Sequence, residues 1–411
     1  MQEDFHYYAT YCAAYLAGYS HEESLEIAYS AQFVDLCSRT FLSKIGAPLN
    51  AATTQLQLEM MDARTDIIGL QDITRIWAAF HFLPQDLYAQ KPRRSKRYMQ
   101  KYRLICGPNG DLLAKTVENA RGKSLQHVGI AMHVLADTWA HRYFAGTPSL
   151  VINNTEHDFV ELLDVDGEQV ERPVKFRHSP TAADDLENGI YTNSLFQGNE
   201  NSIMNLGHGR AGHFPDYSFA KYRYMPAWGD YQEIEKDNPA DYEKAFAQMV
   251  YAMKFLRGEL EPGASSAGVE NICSGRGAEV RGAAGEGERI GSYSCIQGAR
   301  CVFFRTGKYD EEVLDKYGAR IREILTKRQL IASDDWKRFG EELSGHTVED
   351  FDIEKYQEQY VNATKDGKDK TFIGKFIRGA ISQKGMVTEE IHKSGNMHAG
   401  FSKLKRVRAL G

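Results

Sequence analysis

The segment LQHVGIAMHVLADTWAHRYF, residues 125–144, decides the fold class of this chain. Apolar residues recur at every third and fourth position, which is typical of an α-helix. The segment is also apolar on nearly all sides, and a helix of that kind is normally buried among other elements. The sequence therefore predicts a central, buried helix over about residues 122–143.

Three ionisable residues lie in this apolar helix. His133, Asp137 and His141 follow one another at intervals of four, so their side chains rise along one helix face. Their burial would cost roughly several kcal/mol unless they are paired or bound to a cation, and imidazole with carboxylate suits zinc. A hydrogen-bonded His–Asp–His ladder without metal, or an exposed helix face, is the alternative. His127 lies on a different face.

Helical periodicity extends over residues 5–145, and Gly18 with a capping-box pattern at Ser20 and Glu23 divides the beginning into two helices. Residues 149–180 instead alternate around Asp166-Gly167, which predicts a small β insertion. Helical patterns return around 185–205 and over 238–258. The predicted fold class is mainly α, a multi-helix bundle around a metal cluster with a small β insertion and a smaller C-terminal region.

The sequence predicts three regions. A stretch rich in Gly, Ala and Ser separates two helical parts and reads as a linker or flexible excursion. The predicted regions are a helical metal-binding domain with the β insertion (1–260), the Gly-rich linker (261–300), and a C-terminal helical region with a basic tail (301–411).

Composition narrows the classes of partner. The 411 residues include 50 Lys+Arg and 56 Asp+Glu, a net charge of −6, so no global basic field favours nucleic acid or an anionic membrane. The start of the sequence lacks the features of a secretory signal, and no run approaches the roughly 18 apolar residues of a transmembrane helix. A cytoplasmic location is the default expectation. The oligomeric state stays open.

Other candidate metal ligands lie in separate stretches of the chain. Each of His6, Asp35 and His81, taken singly, is more often a buried residue with ordinary partners than a ligand. His208, His213 and Asp216 share the glycine-rich segment LGHGRAGHFPD, where a loop can approach a site closely.

The order of these residues resembles the superfamily of zinc-dependent phospholipases C and single-strand-specific nucleases. Over about residues 4–260 the chain contains, in the same order as those enzymes, an early His, an Asp, a His, an H-x3-D helix with another His soon after, and a late His with an acidic residue. The elements FHYYATYCAAYLAGYS, FHFLP and GIAMHVLADTWAHR also resemble a group of uncharacterised bacterial proteins related to that superfamily.

The resemblance implies a helical fold that holds two or three zinc ions, although other divalent metals could replace zinc. It implies one site from Asp35, His81, His133 and Asp137, with Asp137 able to bridge to a second ion. His141 with His208 or His213 and Asp216 would form another site, and His6 would serve a third.

Two features depart from the superfamily. Its enzymes use the amino group and carbonyl of a mature N-terminal Trp as ligands, exposed by removal of a signal peptide. This chain starts MQEDFH without such a signal, so we expect no ligand from its amino terminus. Asp4 would replace it, or the third metal would be absent. The spacing from Asp137 to His141 is also shorter than in those enzymes.

Such a site predicts a metal-dependent hydrolase of phosphodiester bonds, similar to phospholipase C, because clustered divalent ions activate water and stabilise the leaving oxygen. Neither a G-x-S-x-G nucleophile motif nor a Walker phosphate loop occurs. Asp4 and Asp137 are the expected catalytic carboxylates, with Asp158 an alternative, and Arg142 and Arg210 could hold a phosphate oxygen.

The substrate class is then a phosphodiester or phospholipid. The alternatives are a nuclease with the same metal cluster, which the acidic charge disfavours, and a non-catalytic interaction protein stabilised by metal.

Overall fold

A computed structural model describes residues 1–63, 65–155, 158–177, 182–193, 207–259 and 307–400. The predicted Gly-rich linker and the end of the basic tail lie outside these residues. A π-helix, Asp4–Ala9, leads directly into the first α-helix. The helices are α1 (Thr10–Leu16), α2 (His21–Leu36), α3 (Arg39–Lys44), α4 (Gln57–Ala63), α5 (Ile67–Phe80), α6 (Lys96–Tyr102), α7 (Asp111–Ala120), α8 (Leu125–Ala140), α9 (Leu150–Asn153), α10 (Gly207–Ala211), α11 (Asn238–Arg257), α12 (Glu311–Thr326), α13 (Ser333–Ser344), α14 (Gln357–Asn362) and α15 (Phe372–Lys393).

The fold is mainly helical, as predicted, and α8 lies at its centre. Every residue of α8 from Val128 to Ala140 is buried. The predicted break before α2 is also present: Gly18 has a left-handed φ of 87°, and the side chain of Ser20 accepts from the Glu23 amide while Glu23 caps Ser20 in return. These local signals were sufficient because each is satisfied within one helix end.

Helices α2 and α8 pack closely, and Gly129 permits it. A Cβ atom at Gly129 would lie 2.4 Å from the carbonyl oxygen of Ile27 and 2.5 Å from the Cβ atom of Ser30. Such distances are shorter than any ordinary contact, so only glycine fits between the two helices. This approach brings the last turn of α2 close to the middle of α8.

The β region is larger than the predicted insertion. Strands β1 (Val160–Val165) and β2 (Glu168–Pro173) form the predicted hairpin, and Asp166 and Gly167 both have positive φ. Beyond the predicted range, β5 (Lys221–Tyr224) and β6 (Ile234–Asp237) extend it to an antiparallel sheet of order β2-β1-β5-β6.

A two-stranded parallel sheet stands beside it. It pairs β3 (Lys175–Arg177) with β4 (Ile190–Thr192). The helical pattern predicted around 185–205 is therefore wrong where the structure describes that range. Residues 194–206 of it lie outside the described residues.

Two hydrophobic cores meet in this fold. The larger is built by the helices and includes side chains of the C-terminal region, among them Ile321, Trp336 and Phe376. The smaller lies between the sheet and the residues that follow α5 and α8, and it includes Phe82 and Phe144. In the described part of the chain, no helix combines the length and apolar character needed to cross a bilayer.

Candidate metal centre

The predicted ligands converge where the two cores meet. Within each of three groups, nitrogen or oxygen atoms that could bind a metal lie within 4.8 Å of one another. The groups are His6, His133 and Asp137; Asp35, His81 and His133; and His141, His208 and Asp216. His133 belongs to two of these groups, so the first two are contiguous.

Each ligand is positioned by the end or the buried face of a helix. His6 lies on the π-helix, a form that is frequent at functional sites. Asp35 lies in the last turn of α2, and His81 and His141 are the C-terminal caps of α5 and α8. His133 and Asp137 lie one turn apart on the buried face of α8, as their spacing predicts.

Asp137 connects the groups. Its Oδ1 lies 3.2 Å from His6 Nε2, and its Oδ2 lies 3.2 Å from both His81 Nδ1 and His133 Nε2. The same Oδ2 lies 3.5 Å from His141 Nδ1. A single carboxylate whose two oxygens face different imidazoles is arranged as a bridging ligand would be.

Two imidazoles are held so that one nitrogen faces the cluster. His81 Nε2 lies 3.0 Å from the carbonyl oxygen of Thr53 and must donate to it, because a carbonyl can only accept. In the neutral ring, Nδ1 is then the nitrogen without a hydrogen, and it faces Asp137. In the same way His141 Nδ1 donates to the carbonyl of His81 at 2.6 Å, and its Nε2 lies 3.2 Å from Asp216. Metal-binding histidines are typically anchored by such a hydrogen bond from the other ring nitrogen.

Two further imidazoles are buried with ring nitrogens that make no hydrogen bond to any described residue. His6 and His133 are fully buried and stack with ring centroids 3.8 Å apart. Within the part of the chain that the structure describes, the two ring nitrogens of His6 and Nδ1 of His133 make no hydrogen bond. Burial of polar atoms without hydrogen bonds is costly, and a bound cation would compensate for it.

Electrostatics keeps three of the histidines and Asp137 in the form that binds metals, whereas burial raises the pKa of Asp35. Burial lowers the pKa of His6, His133 and His141 to about 4, even though Asp137 opposes the shift. Burial also opposes ionisation of Asp137, but His141, the amino group of Met1 and His133 hold its pKa well below the usual value. Neutral imidazoles and an ionised carboxylate are the states required for metal ligation.

The amino terminus lies in the site, a position that the sequence analysis did not expect, and its role as a metal ligand is untested. The α-amino nitrogen of Met1 is 2.9 Å from Asp137 Oδ1, 3.0 Å from Asp216 Oδ1 and 3.3 Å from His141 Nε2. Burial opposes its charge, but Asp137, Asp216 and Asp35 raise its pKa to about 11. The ammonium supplies positive charge between two carboxylates, as a divalent cation also would. No side-chain pattern could have identified it.

The third group favours His208 over His213 as the candidate ligand. His208 Nε2 lies 3.0 Å from Asp216 Oδ1, which also faces His141, so His208 belongs to the group. His213 Nδ1 lies 3.4 Å from the other oxygen of Asp216, and its side chain is 58% exposed. His213 therefore lies at the edge of the cluster.

Three further predicted residues, like His213, lie outside the groups. Both carboxylate oxygens of Asp4 accept backbone amides, from Phe5 at 2.8 Å and from Ala332 at 2.9 Å. The hydrogen bond from Ala332 holds the π-helix to the start of α13. A catalytic role of Asp4 stays a prediction. The guanidinium of Arg142 stacks on Tyr143, and buried Arg210 donates to Asn154, so phosphate binding by either also stays a prediction.

The model of a family of unknown function, DUF6765, matches residues 1–391, and the chain belongs to this family. No curated protein and no solved structure matches the chain.

Proposed function

We propose that this protein is a zinc-dependent hydrolase of phosphodiester bonds, similar to phospholipases C, with two or three ions in the cluster around Asp137. The resemblance in the order of ligands and the convergence of those ligands both support this proposal.

One observation carries the proposal. His81 and His141 each donate one ring N–H to a backbone carbonyl and direct the other nitrogen toward carboxylates. A ladder of hydrogen bonds without metal would instead give His6 and His133 partners for their buried nitrogens. Among the described residues, both ring nitrogens of His6 and Nδ1 of His133 make no hydrogen bond, whereas Nε2 of His133 lies 3.2 Å from His81 Nδ1. The donor set of nitrogens and carboxylate oxygens is the one that zinc prefers.

Some residues of the cluster are partly exposed, which hydrolysis of an external substrate requires. His6, His133 and Asp137 are buried, whereas the side chains of His208 and Asp35 are partly exposed. A substrate phosphate would reach the ions at these partly exposed residues. Ions held here would polarise phosphoryl oxygens and lower the pKa of a nearby water. The protein's own contribution is to hold the carboxylates and neutral imidazoles fixed and to exclude bulk water from the buried side.

The proposal is tested by metal analysis combined with substrate assays. Purified protein is expected to contain zinc and to hydrolyse at least one compound in a panel of phosphodiesters, phospholipids and single-stranded nucleic acids. A chelator should abolish the hydrolysis and added zinc should restore it. His133→Ala combined with Asp137→Ala should lose metal and activity, while His127→Gln, in the same helix but outside the cluster, should retain both.

The outcomes separate the alternatives. Hydrolysis restricted to nucleic acid would identify a nuclease with the same metal chemistry. Bound zinc without hydrolysis of any compound would favour a structural metal and a non-catalytic protein. Equal metal content in the double variant and the unmodified protein would refute the proposed cluster.

A further inference from the structure

A short cationic segment differs from the rest of this acidic protein. Residues 91–103, KPRRSKRYMQKYR, contain seven Lys and Arg residues and no Asp or Glu. The segment includes α6 and the turn before it. Because the whole chain has a net charge of −6, this concentration is a local feature that the overall balance conceals.

Most of this positive charge is not neutralised. Asp230 pairs with Lys91 at 2.7 Å and also with Arg94. Within the described residues, no carboxylate forms an ion pair with Lys96, Arg97 or Lys101. The charges also act on one another, since burial and then the charge of Arg97 lower the pKa of Lys101.

A groove lies along this segment. Its volume is about 470 Å³, and it runs between α6 and the end of α15. Arg94, Lys96 and Arg103 line one side, and Ser394 and Gly395 line the other. Cationic side chains around a groove of this size are suited to a phosphate group with a small organic substituent.

Exposed aliphatic side chains lie nearby. The side chains of Leu58, Ile67 and Ile68 are 78%, 71% and 68% exposed, and those of Leu56 and Met61 are also exposed. We call these five residues the apolar corner, because they lie where α4 gives way to α5. Single exposed aliphatic residues are ordinary, but a group in one place marks an interaction site.

Hydrogen bonds connect the apolar corner with the cationic segment. Gln71, one turn after Ile67 and Ile68 on α5, donates to the carbonyl of Met397 at 3.4 Å. The neighbouring Gly395 carbonyl accepts from Gln100 of α6 at 3.2 Å. Residues 395–397 therefore contact both the helix that carries Ile67 and Ile68 and the helix that carries the cations, and Met397 among them is itself 37% exposed.

We propose that this surface docks the protein on a membrane that contains anionic phospholipids. The unpaired cations would contact lipid phosphates, and the apolar corner would enter the boundary between headgroups and acyl chains. Single-stranded nucleic acid could use the cations, but it would leave the aliphatic side chains without a role. Two carboxylates near the apolar corner already accept hydrogen bonds. Glu59 accepts from the Thr40 amide, and Asp66 accepts from the Gly69 amide as the N-terminal cap of α5.

Sedimentation with vesicles tests this proposal. The unmodified protein should bind vesicles that contain phosphatidylglycerol, bind vesicles of phosphatidylcholine alone much more weakly, and be released as salt is raised. Lys96→Ala, Arg97→Ala and Lys101→Ala combined should weaken binding about a hundredfold, on the order of fivefold for each cation. Ile67→Ser with Ile68→Ser should weaken it on the order of tenfold.

A control variant carries the same kinds of change elsewhere. Val361→Ser with Lys365→Ala and Lys370→Ala alters exposed residues on another surface, and its binding should be unchanged. Circular dichroism should show that every variant keeps the helical content of the unmodified protein.

The proposal is overturned if the protein does not bind anionic vesicles, or if the two isoleucine substitutions leave binding unchanged. It is also overturned if the cationic variant loses affinity for single-stranded nucleic acid while vesicle binding persists. Docking does not involve the metal ligands, so these outcomes are independent of whether the protein contains zinc or hydrolyses a phosphodiester.

Discussion

Gly129→Ala should destabilise the protein although it improves the helix propensity of α8. Alanine in place of glycine inside a helix normally stabilises it by about 1 kcal/mol. At Gly129, however, the new Cβ would lie 2.4 Å from the carbonyl oxygen of Ile27. Carbon and carbonyl oxygen come no closer than about 3.3 Å, so α2 and α8 must separate by about 0.9 Å.

The expected magnitude follows from this displacement. Overpacking of a close-packed interior costs about 1–3 kcal/mol, and this clash involves backbone that has little freedom to relax. We expect the free energy of unfolding to fall by about 2 kcal/mol. Metal binding should also weaken, because α2 carries Asp35 and α8 carries His133, whose ligand atoms are 3.9 Å apart. Ligand positions must be correct to within about 0.2 Å.

Urea denaturation and zinc analysis of Gly129→Ala would measure both effects. Gly385→Ala is the matched control, since Gly385 lies inside α15 and a Cβ there would meet nothing within 4 Å. The control should be as stable as the unmodified protein or more stable, with full zinc content. If Gly129→Ala were equally stable and equally loaded, α2 and α8 could not approach as closely as described here.

Three further predictions concern the amino group, a histidine and the metal. Placing Gly-Ser before Met1 should reduce zinc content, because the α-amino group, which binds zinc only after it releases its proton, would leave the cluster. The same residues added after Gly411 should have no effect, and equal zinc in both variants would contradict a role of the amino group. Burial lowers the pKa of His127 to about 4, so as the pH drops the unfolded state takes up a proton before the folded state does. The free energy of unfolding should therefore fall between about pH 6.5 and pH 4, by about 1–2 kcal/mol after allowance for the partial exposure of the ring. His127→Gln should lack this part of the loss in urea denaturation at the two pH values, and an unchanged pH dependence would be the contrary result. Removing zinc with a chelator should lower the melting temperature, and restoring zinc should reverse the change. At a free zinc concentration about a thousand times Kd, the bound metal should add on the order of 4 kcal/mol to the free energy of unfolding. A melting temperature insensitive to chelator would exclude a stabilising metal.

The sequence predicted elements that depend on local signals. The apolar pattern of residues 125–144, the capping box at Ser20 and the Asp166-Gly167 turn each act within a few residues. Strands β5 and β6 were missed because each has only four residues, and β5 is stabilised by pairing with β1 some sixty positions earlier. Long-range pairing of this kind leaves little trace in a short segment.

The candidate site was predictable only through the order of its ligands. Nothing in the immediate surroundings of His6, Asp35 or His81 distinguishes them from ordinary buried residues, and their convergence is set by the packing of α2 and α5 against α8. The position of Met1 could not be predicted, because it depends on contacts of the π-helix with the C-terminal region. Asp4 accepts from the Ala332 amide, and Phe5 packs on Trp336 with ring centroids 5.9 Å apart.

X-ray absorption at the zinc edge of the metal-loaded protein tests the central claim most directly. We predict only nitrogen and oxygen neighbours, at about 2.0–2.1 Å, as expected for imidazole, carboxylate and amino ligands. Sulfur at about 2.3 Å would place the zinc at cysteines instead. That result, or a protein that takes up no zinc, would contradict a metal centre built from histidine and aspartate around Asp137.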